Sequence, residues 1–135
     1  MEDDLDLDDP LTFQTLAASL QINQRESKTM VESLATMLQT AMPDRVTISR
    51  GGWFLSKEKP IEDMLVKFDE THYQITKSRS SSNYEARALK IVRGIALKSN
   101  EIELEECIKA IIQEVSSMSK KSTKMQDAIR KFISG

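Results

Sequence analysis

The sequence has few of the residues that build covalent or metal-centred sites. It contains one cysteine, one histidine and one tryptophan among 135 residues, and aromatic residues make up 5% of the chain. A single cysteine excludes a disulfide bond within the chain and favours a reducing, cytoplasmic setting. The only histidine, His72, has no partners at the ligand spacing of a metal site, because the nearby Asp69 and Glu70 belong to a predicted turn. No metal site is therefore predicted.

Long apolar runs are also missing. No stretch approaches the about 20 apolar residues that a helix needs to cross a bilayer, and no basic segment followed by an apolar one begins the chain. Glycines occur at Gly51-Gly52 and at Gly94, but the spacing and the lysine of a phosphate-binding loop are absent. We therefore expect no membrane span, no secretory signal, no cofactor and no catalytic residue.

Charge is plentiful, and it is segregated along the chain. Residues 1–10 hold six acids and no base, whereas residues 44–98 hold eleven bases and seven acids. The acidic segment has too few apolar residues to offset its ordering entropy, so a disordered tail is predicted there. It either solvates the chain, folds back on the basic middle or captures a basic partner. Residues 11–135 are predicted to form a single domain.

Two apolar stripes at helical spacing flank the middle of the chain. The last one consists of Leu104, Ile108, Ile111, Val115, Met118, Ser122, Met125, Ile129 and Phe132. The first consists of Phe13, Leu16, Leu20, Asn23, Ser27, Met30, Leu34, Met37 and Ala41. Alternating steps of three and four residues predict helices over residues 103–133 and 27–41, the latter stopped by Pro43. The earlier helix starts at Ser27 or runs unbroken from Thr12.

Period-two patterns between the stripes predict antiparallel strands. A short strand is predicted over residues 46–49, and residues 61–78 alternate about Asp69-Glu70 as a hairpin does. The block from Tyr84 to Lys98 suits a helix or a strand. Its β-branched residues favour a strand that is bent or bulged at Arg93-Gly94.

The element order predicts an α+β domain of two layers: a helix, an antiparallel sheet of three to four strands, and a helix. We expect the two flanking helices to pair antiparallel, with Ala41 level with Leu104. In that register Asn23 falls opposite Ser122 and forms a polar layer that fixes the alignment. The same stripes alternatively join two copies of the chain, so a homodimer is the second interpretation.

Five residues are predicted to bind a partner: Trp53, Phe54, Arg50, Tyr73 and Arg93. The two aromatic residues lie beside Gly51-Gly52 in a predicted loop, and loops that display aromatic side chains often anchor partners. Their alternative roles are to close the open end of the sheet or to contact a membrane. Arg50, Tyr73 and Arg93 are expected on an exposed face of the sheet.

Basic residues of the middle segment raise an alternative function, nucleic-acid binding by a basic sheet face. They are Arg45, Arg50, Lys57, Lys59, Lys77, Arg79, Arg87, Lys90 and Arg93. Such binding also needs aromatic side chains that stack on bases, for which Trp53, Tyr73 and Tyr84 are present. Because the net charge of the chain is −2, a solvated basic face is the stronger interpretation and nucleic acid the weaker partner.

Three stretches stand out together: Arg45-Val46-Thr47-Ile48, Ile91-Val92-Arg93-Gly94-Ile95-Ala96-Leu97-Lys98, and the helix end around Ala128. They resemble a family of small, uncharacterised proteins of mostly Gram-positive bacteria, over residues 44–133. The resemblance implies no activity and no functional residue. The helix–sheet–helix order also resembles secretion-chaperone-like domains, which implies a dimer that binds other polypeptides. The leading hypothesis is a non-enzymatic, cytoplasmic protein-interaction module.

Overall fold

The computed structural model describes residues 27–52, 55, 57, 59–78, 83–119 and 122–134. Its elements are α1 (Ser27–Ala41), a 3-10 turn (Pro43–Arg45), β1 (Val46–Arg50), β2 (Ile61–Lys67), β3 (Thr71–Lys77), β4 (Tyr84–Val92), β5 (Ile95–Ile102), α2 (Leu104–Met118) and α3 (Thr123–Ser134). Within these residues, α1 and α2 cover the sheet, and α3 packs on both helices. The predicted α+β class is confirmed, whereas the predicted extension of α1 to Thr12 lies outside the described residues.

The five strands form one antiparallel meander in the order β1-β2-β3-β4-β5. The prediction of three to four strands is wrong because the chain does not bend at Arg93-Gly94 but reverses there. Both residues have left-handed backbone angles, with φ of 54° and 80°, and they join the paired residues Val92 and Ile95. Two consecutive left-handed residues make the tight turn whose twist matches that of a hairpin.

A bulge near the start of β2 sets which side chains face the helices. Ser49 is opposite Asp63 and Arg50 is opposite Ile61, so Glu62 is an extra residue without a partner. The insertion turns Ile61 to the same face as Met64, and both side chains are fully buried. Arg50 lies on the helix side of β1 because it alternates in phase with Val46 and Ile48, and β1 is one edge strand of the described sheet.

The prediction of a single helix over residues 103–133 is wrong, because α2 ends at Met118 and a separate helix, α3, begins at Thr123. The Ser122 hydroxyl accepts a hydrogen bond from the backbone N–H of Met125 at 3.2 Å, the geometry of a helix N-cap. Ser122, the polar interruption of the stripe, therefore starts a new helix. Asn23, its predicted partner in a polar layer, lies outside the described residues.

The break changes which helices pair. Helix α3 turns back and packs chiefly against α1, whereas α2 lies over β3 and β4. The sequence pattern predicted that α1 pairs with the segment that forms α2. In the structure, α1 pairs chiefly with α3 instead. Both α1 and α2 bury a stripe wider than a heptad seam, since Val31, Leu38, Cys107 and Ile112 are buried beside the predicted positions. A wide apolar stripe is typical of helices that pack on a sheet.

The core is one continuous cluster between the sheet and the helices. Ile111 and Val115 of α2 are fully buried in it, and the Tyr84 hydroxyl donates a hydrogen bond of 2.7 Å to the Ile61 carbonyl.

Among the described helices, none is both long enough and apolar enough to cross a membrane.

Candidate partner-binding site

The structure does not bring the predicted partner-binding residues together. In a five-stranded meander, the end of β1 and the β4–β5 turn lie at opposite ends and on opposite edges of the sheet. Arg50 and Arg93 therefore occupy diagonally opposite corners. Trp53 and Phe54 lie outside the described residues, and their neighbour Leu55 is 63% exposed.

Arg50 is engaged inside the domain. Its two terminal nitrogens donate to the two carboxylate oxygens of Glu32 on α1, each at 3.0 Å, and Nη1 also donates to the Lys59 carbonyl at 3.0 Å. The hydrogen bond to Glu32 raises the pKa of the Arg50 guanidinium. A fork-to-fork pair of this kind fixes orientation, so Arg50 joins α1 to the edge of the sheet and to the loop after β1.

Tyr73 does not lie on an exposed face, and that part of the prediction is wrong. Its side chain points toward the helices and is 9% exposed, and its ring meets Phe68 edge to face with centroids 6.0 Å apart. Burial raises the pKa of the Tyr73 hydroxyl. Tyr84 is buried on the same side, because both residues occupy core-facing positions of the period-two pattern.

The open face of the sheet carries mixed charge among the described residues. Among the paired strand residues, those that point away from the core include three acids and two bases: Asp63, Glu85, Glu101, Lys67 and Arg87. Gln74 and Thr76 both donate hydrogen bonds to Asp63, at 2.9 and 3.0 Å. The predicted basic face with stacking aromatic side chains is therefore not present in this part of the chain.

His72 also lies on the open face, opposite Leu89. Partial burial, with a smaller effect from the positive charge of Lys67, lowers the pKa of His72. No group of three potential metal ligands occurs among the residues that the structure describes.

The β4–β5 hairpin forms the most exposed apolar surface of the described sheet. Lys90 is the last β4 residue that pairs with β3, so the tip that follows projects beyond the β2–β3 turn. At this tip Val92, Ile95 and Leu97 are 39%, 63% and 64% exposed. Three exposed aliphatic side chains on one projecting hairpin favour a contact surface.

No described helix or strand covers either face of β5 or its outer edge. Residues 95–101 are all exposed and Ile102 is half-buried, because α2 packs over β3 and β4 rather than over β5. The strand is the last of the sheet that the described residues form, so within that part of the chain one of its two edges has no strand partner. An open edge presents backbone N–H and C=O groups that a further strand can pair with.

The hairpin is strongly basic. Residues 86–100 contain four bases and no acid: Arg87, Lys90, Arg93 and Lys98. The acids Glu101 and Glu103 follow at the other end of β5. A negatively charged segment therefore meets attraction over the tip half of the strand and repulsion near the start of α2.

Two features protect the edge from indiscriminate pairing. Leu97 is an extra residue in β5, because Lys90 is opposite Lys98 while Ile91 is opposite Ala96. A bulge and a lysine on an edge strand both disfavour aggregation. Both features therefore limit unspecific pairing along this edge.

A second concave surface lies between α1 and α3. This groove has a volume of about 550 Å³, with Met37, Ala128 and Phe132 at its apolar floor. Hydroxyl and charged groups form its rim, namely Ser33, Thr36, Thr40, Lys124, Asp127 and Lys131.

The single cysteine does not line this groove. Cys107 is fully buried in the core, and burial raises the pKa of its thiol from 9.0 to about 12. A thiol held in the protonated form is a poor nucleophile.

Comparison with family models, with curated proteins and with solved structures found no match to this chain. The resemblance to small bacterial proteins therefore stays a prediction.

Sequence reasoning identified one residue of the hairpin surface, Arg93, and missed the aliphatic residues Val92, Ile95 and Leu97. The sequence does contain a pattern that indicates this surface: apolar residues lie on both sides of the Arg93-Gly94 turn, in a stretch that contains no acid. A hairpin whose apolar residues occur on both faces cannot bury all of them against one helical layer.

Proposed function

We propose that the chain is a non-enzymatic protein-interaction module, adaptor- or chaperone-like, that takes up an extended acidic segment of a partner protein along β5. The observation that carries the proposal is the exposure of β5 on both faces and along its free edge, next to three exposed aliphatic side chains. The single cysteine is consistent with a cytoplasmic setting.

Strand addition accounts for this combination of features. Backbone groups of an added strand pair with the open edge and supply sequence-independent affinity, while alternate side chains supply specificity. Full burial of an aliphatic side chain contributes about 1.5–3 kcal/mol, so covering Ile95 and Leu97 supplies much of the binding free energy. Acidic residues of the partner complement Lys90, Arg93 and Lys98 and speed association.

The charge pattern favours a foreign strand over a second copy of β5. In a symmetric antiparallel pair, the two-fold axis is perpendicular to the sheet, so only residues on the same face of β5 come opposite each other. Lys98 pairs with Lys90 on the helix side, whereas Glu101 pairs with Arg87 on the open side. Lys98 and Glu101 therefore cannot neutralise each other across such a dimer.

Replacing Ile95 and Leu97 together by serine is expected to weaken the binding of selected peptides strongly. The probes are peptides of about 12 residues, selected from a random displayed library on the wild-type chain and expected to be rich in Asp and Glu with alternating aliphatic residues. Losing most of two aliphatic contacts weakens binding at least about 30-fold, because roughly 2 kcal/mol is removed. Fluorescence anisotropy measures the dissociation constants.

The matched control for that double variant is Leu55→Ser, which removes an equally exposed aliphatic residue from the opposite corner of the sheet. Its peptide affinity is expected to equal that of the wild type. Both variants should keep the wild-type free energy of unfolding within about 0.5 kcal/mol, since the substituted side chains are exposed. Peptides that bind the Ile95/Leu97 variant as tightly as the wild type would contradict the proposal.

Arg93→Asn is expected to raise stability and lower peptide affinity at the same time. Arg93 has φ of 54°, a left-handed conformation that Asn adopts more readily, so the free energy of unfolding rises by about 0.5–1 kcal/mol. The lost cation weakens acidic-peptide binding several-fold at low salt. Urea denaturation and anisotropy measure the two effects.

Arg93→Lys is the control for this substitution, because it keeps the charge without the backbone preference of Asn. We expect unchanged stability and nearly full binding. Equal peptide affinities for the Asn and Lys variants at low salt would show that the charge at the turn does not contribute to recognition.

A further inference from the structure

We propose that residues 2–9 of this chain dock on the β4–β5 hairpin and compete there with the acidic segment of a partner. The occupant is thus the chain's own acidic segment, which regulates the surface described above. This inference rests on the proposed function, because it assigns the regulation of the same site.

The alternation within the segment suits an added strand. Leu5 and Leu7 alternate with Asp4, Asp6 and Asp8. In an extended chain, successive side chains point to opposite faces, so the two leucines lie on one face and the three carboxylates on the other. Lys98 and its partner Lys90 lie on the helix side of the hairpin, and Leu97 precedes Lys98 on the opposite side. A strand added along this edge can therefore place its leucines beside Leu97 and its carboxylates beside the two lysines.

The charges of the two segments are complementary and unusual within the chain. Residues 2–9 contain six acids and no base, and residues 86–100 contain four bases and no acid. No other stretch of the sequence that is free of acids contains as many bases. The rim of the α1–α3 groove is different, because Asp127 lies between Lys124 and Lys131 and forms an ion pair with Arg130.

The intervening chain is long enough for the contact. Residues 10–26 lie between the acidic segment and Ser27, the first residue of α1. Glu32, near the start of α1, is bonded to Arg50, so α1 starts at the corner of the sheet that is diagonally opposite the hairpin. That diagonal is roughly 35 Å for five strands of this length, whereas seventeen residues span about 56 Å when extended, so an extended connection reaches the hairpin. A tethered segment acts at an effective concentration in the millimolar range, so a weak contact is sufficient.

The decisive experiment places a spin label at residue 10 by the substitution Pro10→Cys in the full chain. Cys107 is fully buried and stays unlabelled. In nuclear magnetic resonance spectra, we expect the label to broaden backbone amides of residues 90–99 selectively. The broadening should be lost at 1 M NaCl, because screening then acts within about 3 Å.

Charge variants test which groups make the contact. Replacing Asp4, Asp6 and Asp8 together by Asn is expected to remove the broadening of the hairpin. The matched control replaces Asp44, Glu62 and Glu106, three exposed acids outside the hairpin, by their amides and should retain it. Equal broadening in the two variants would overturn the assignment of the contact to the acidic segment.

Two further outcomes overturn the inference. Broadening centred on α1 and α3 instead of on the hairpin would place the segment at the groove. Broadening in a mixture of isotope-labelled wild-type chain and spin-labelled unlabelled chain would show that the occupant comes from a second copy.

Peptide affinity separates this inference from the proposed function. If the segment covers the hairpin about 90% of the time, the Asp4/Asp6/Asp8 variant binds a selected peptide about ten-fold more tightly than the wild type. An unchanged affinity, with binding that still depends on Ile95 and Leu97, overturns the inference and leaves the proposed function intact. Broadening of the hairpin with no peptide that depends on these residues overturns the proposed function instead.

Discussion

Phe132→Ala is expected to lower the free energy of unfolding by about 3 kcal/mol, the low end for truncating a buried aromatic residue. Phe132 lies in α3, is 3% exposed and belongs to the main core cluster. Because its ring also lines the groove between α1 and α3, water can enter the space it leaves, which limits the cavity penalty. Urea denaturation followed by circular dichroism measures the loss.

Two controls make this result specific to the packing of α3. Phe132→Leu keeps most of the volume and should cost about 1 kcal/mol. Met118→Ala changes another position of the same heptad stripe, but Met118 is 39% exposed at the end of α2, so an effect within about 0.5 kcal/mol is expected. A large loss at Met118 together with a small loss at Phe132 would favour one uninterrupted helix over the observed pair.

The helical stripe illustrates what the sequence predicted and what it did not. Its period located both helices, and Ile111, Val115, Ile129 and Phe132 are buried as the period requires. The period says nothing about continuity, however, because two helices in the same phase produce the same spacing as one. Ser122 was the only sign of the break, and a serine inside a helical pattern indicates a cap as readily as a polar layer.

For the sheet as well, the sequence period predicted where strands lie but not how the chain connects them. Alternation predicted the β2–β3 hairpin and its turn, and the pairing of Val66 with Tyr73 confirms it. It did not separate a bend from a reversal at Arg93-Gly94, since both use a glycine flanked by β-branched residues. The difference depends on the left-handed backbone of Arg93, a conformation that sequence preference assigns to Asn or Gly rather than to Arg.

The candidate site was less predictable than the fold. Tyr73 was predicted to share an exposed face of the sheet with Arg50 and Arg93. Its place in the alternation, in phase with Ile75 and opposite Ala88, sets it on the core side. Exposure of β5 was not predictable from local pattern, because it depends on where α2 crosses the sheet, and that crossing follows from packing between distant segments.

The same packing explains why the hairpin is exposed instead of buried. The start of α2 at Leu104 follows β5 after one residue, and the helix must cross back over β4 and β3 to bury its wide apolar stripe. A helix that lay over β5 would leave Tyr73 and Ile75 uncovered. The domain therefore buries its central strands and leaves an edge strand with apolar residues in solvent, where the proposed partner segment would cover them.

Stability is expected to fall steeply in alkaline solution because of Cys107. The thiol is fully buried, and burial raises its pKa from 9.0 to about 12. Since the folded state holds this proton more tightly than the unfolded chain, the contribution is fully present below pH 9 and is lost as the pH rises toward 12. At pH 10.5 the loss amounts to about 2 kcal/mol.

Cys107→Ala isolates that contribution, because the buried tyrosines, whose pKa values burial also raises, are present in both proteins. The variant loses a small apolar contact, so we expect it to be about 1 kcal/mol less stable than the wild type at pH 7. Between pH 8.5 and 10.5 the difference should shrink and reverse sign, because only the wild type must hold a thiol proton in its core. Urea denaturation at intervals of half a pH unit measures the crossing. Parallel curves for the two proteins would mean that the thiol ionises as freely in the folded chain as in the unfolded one.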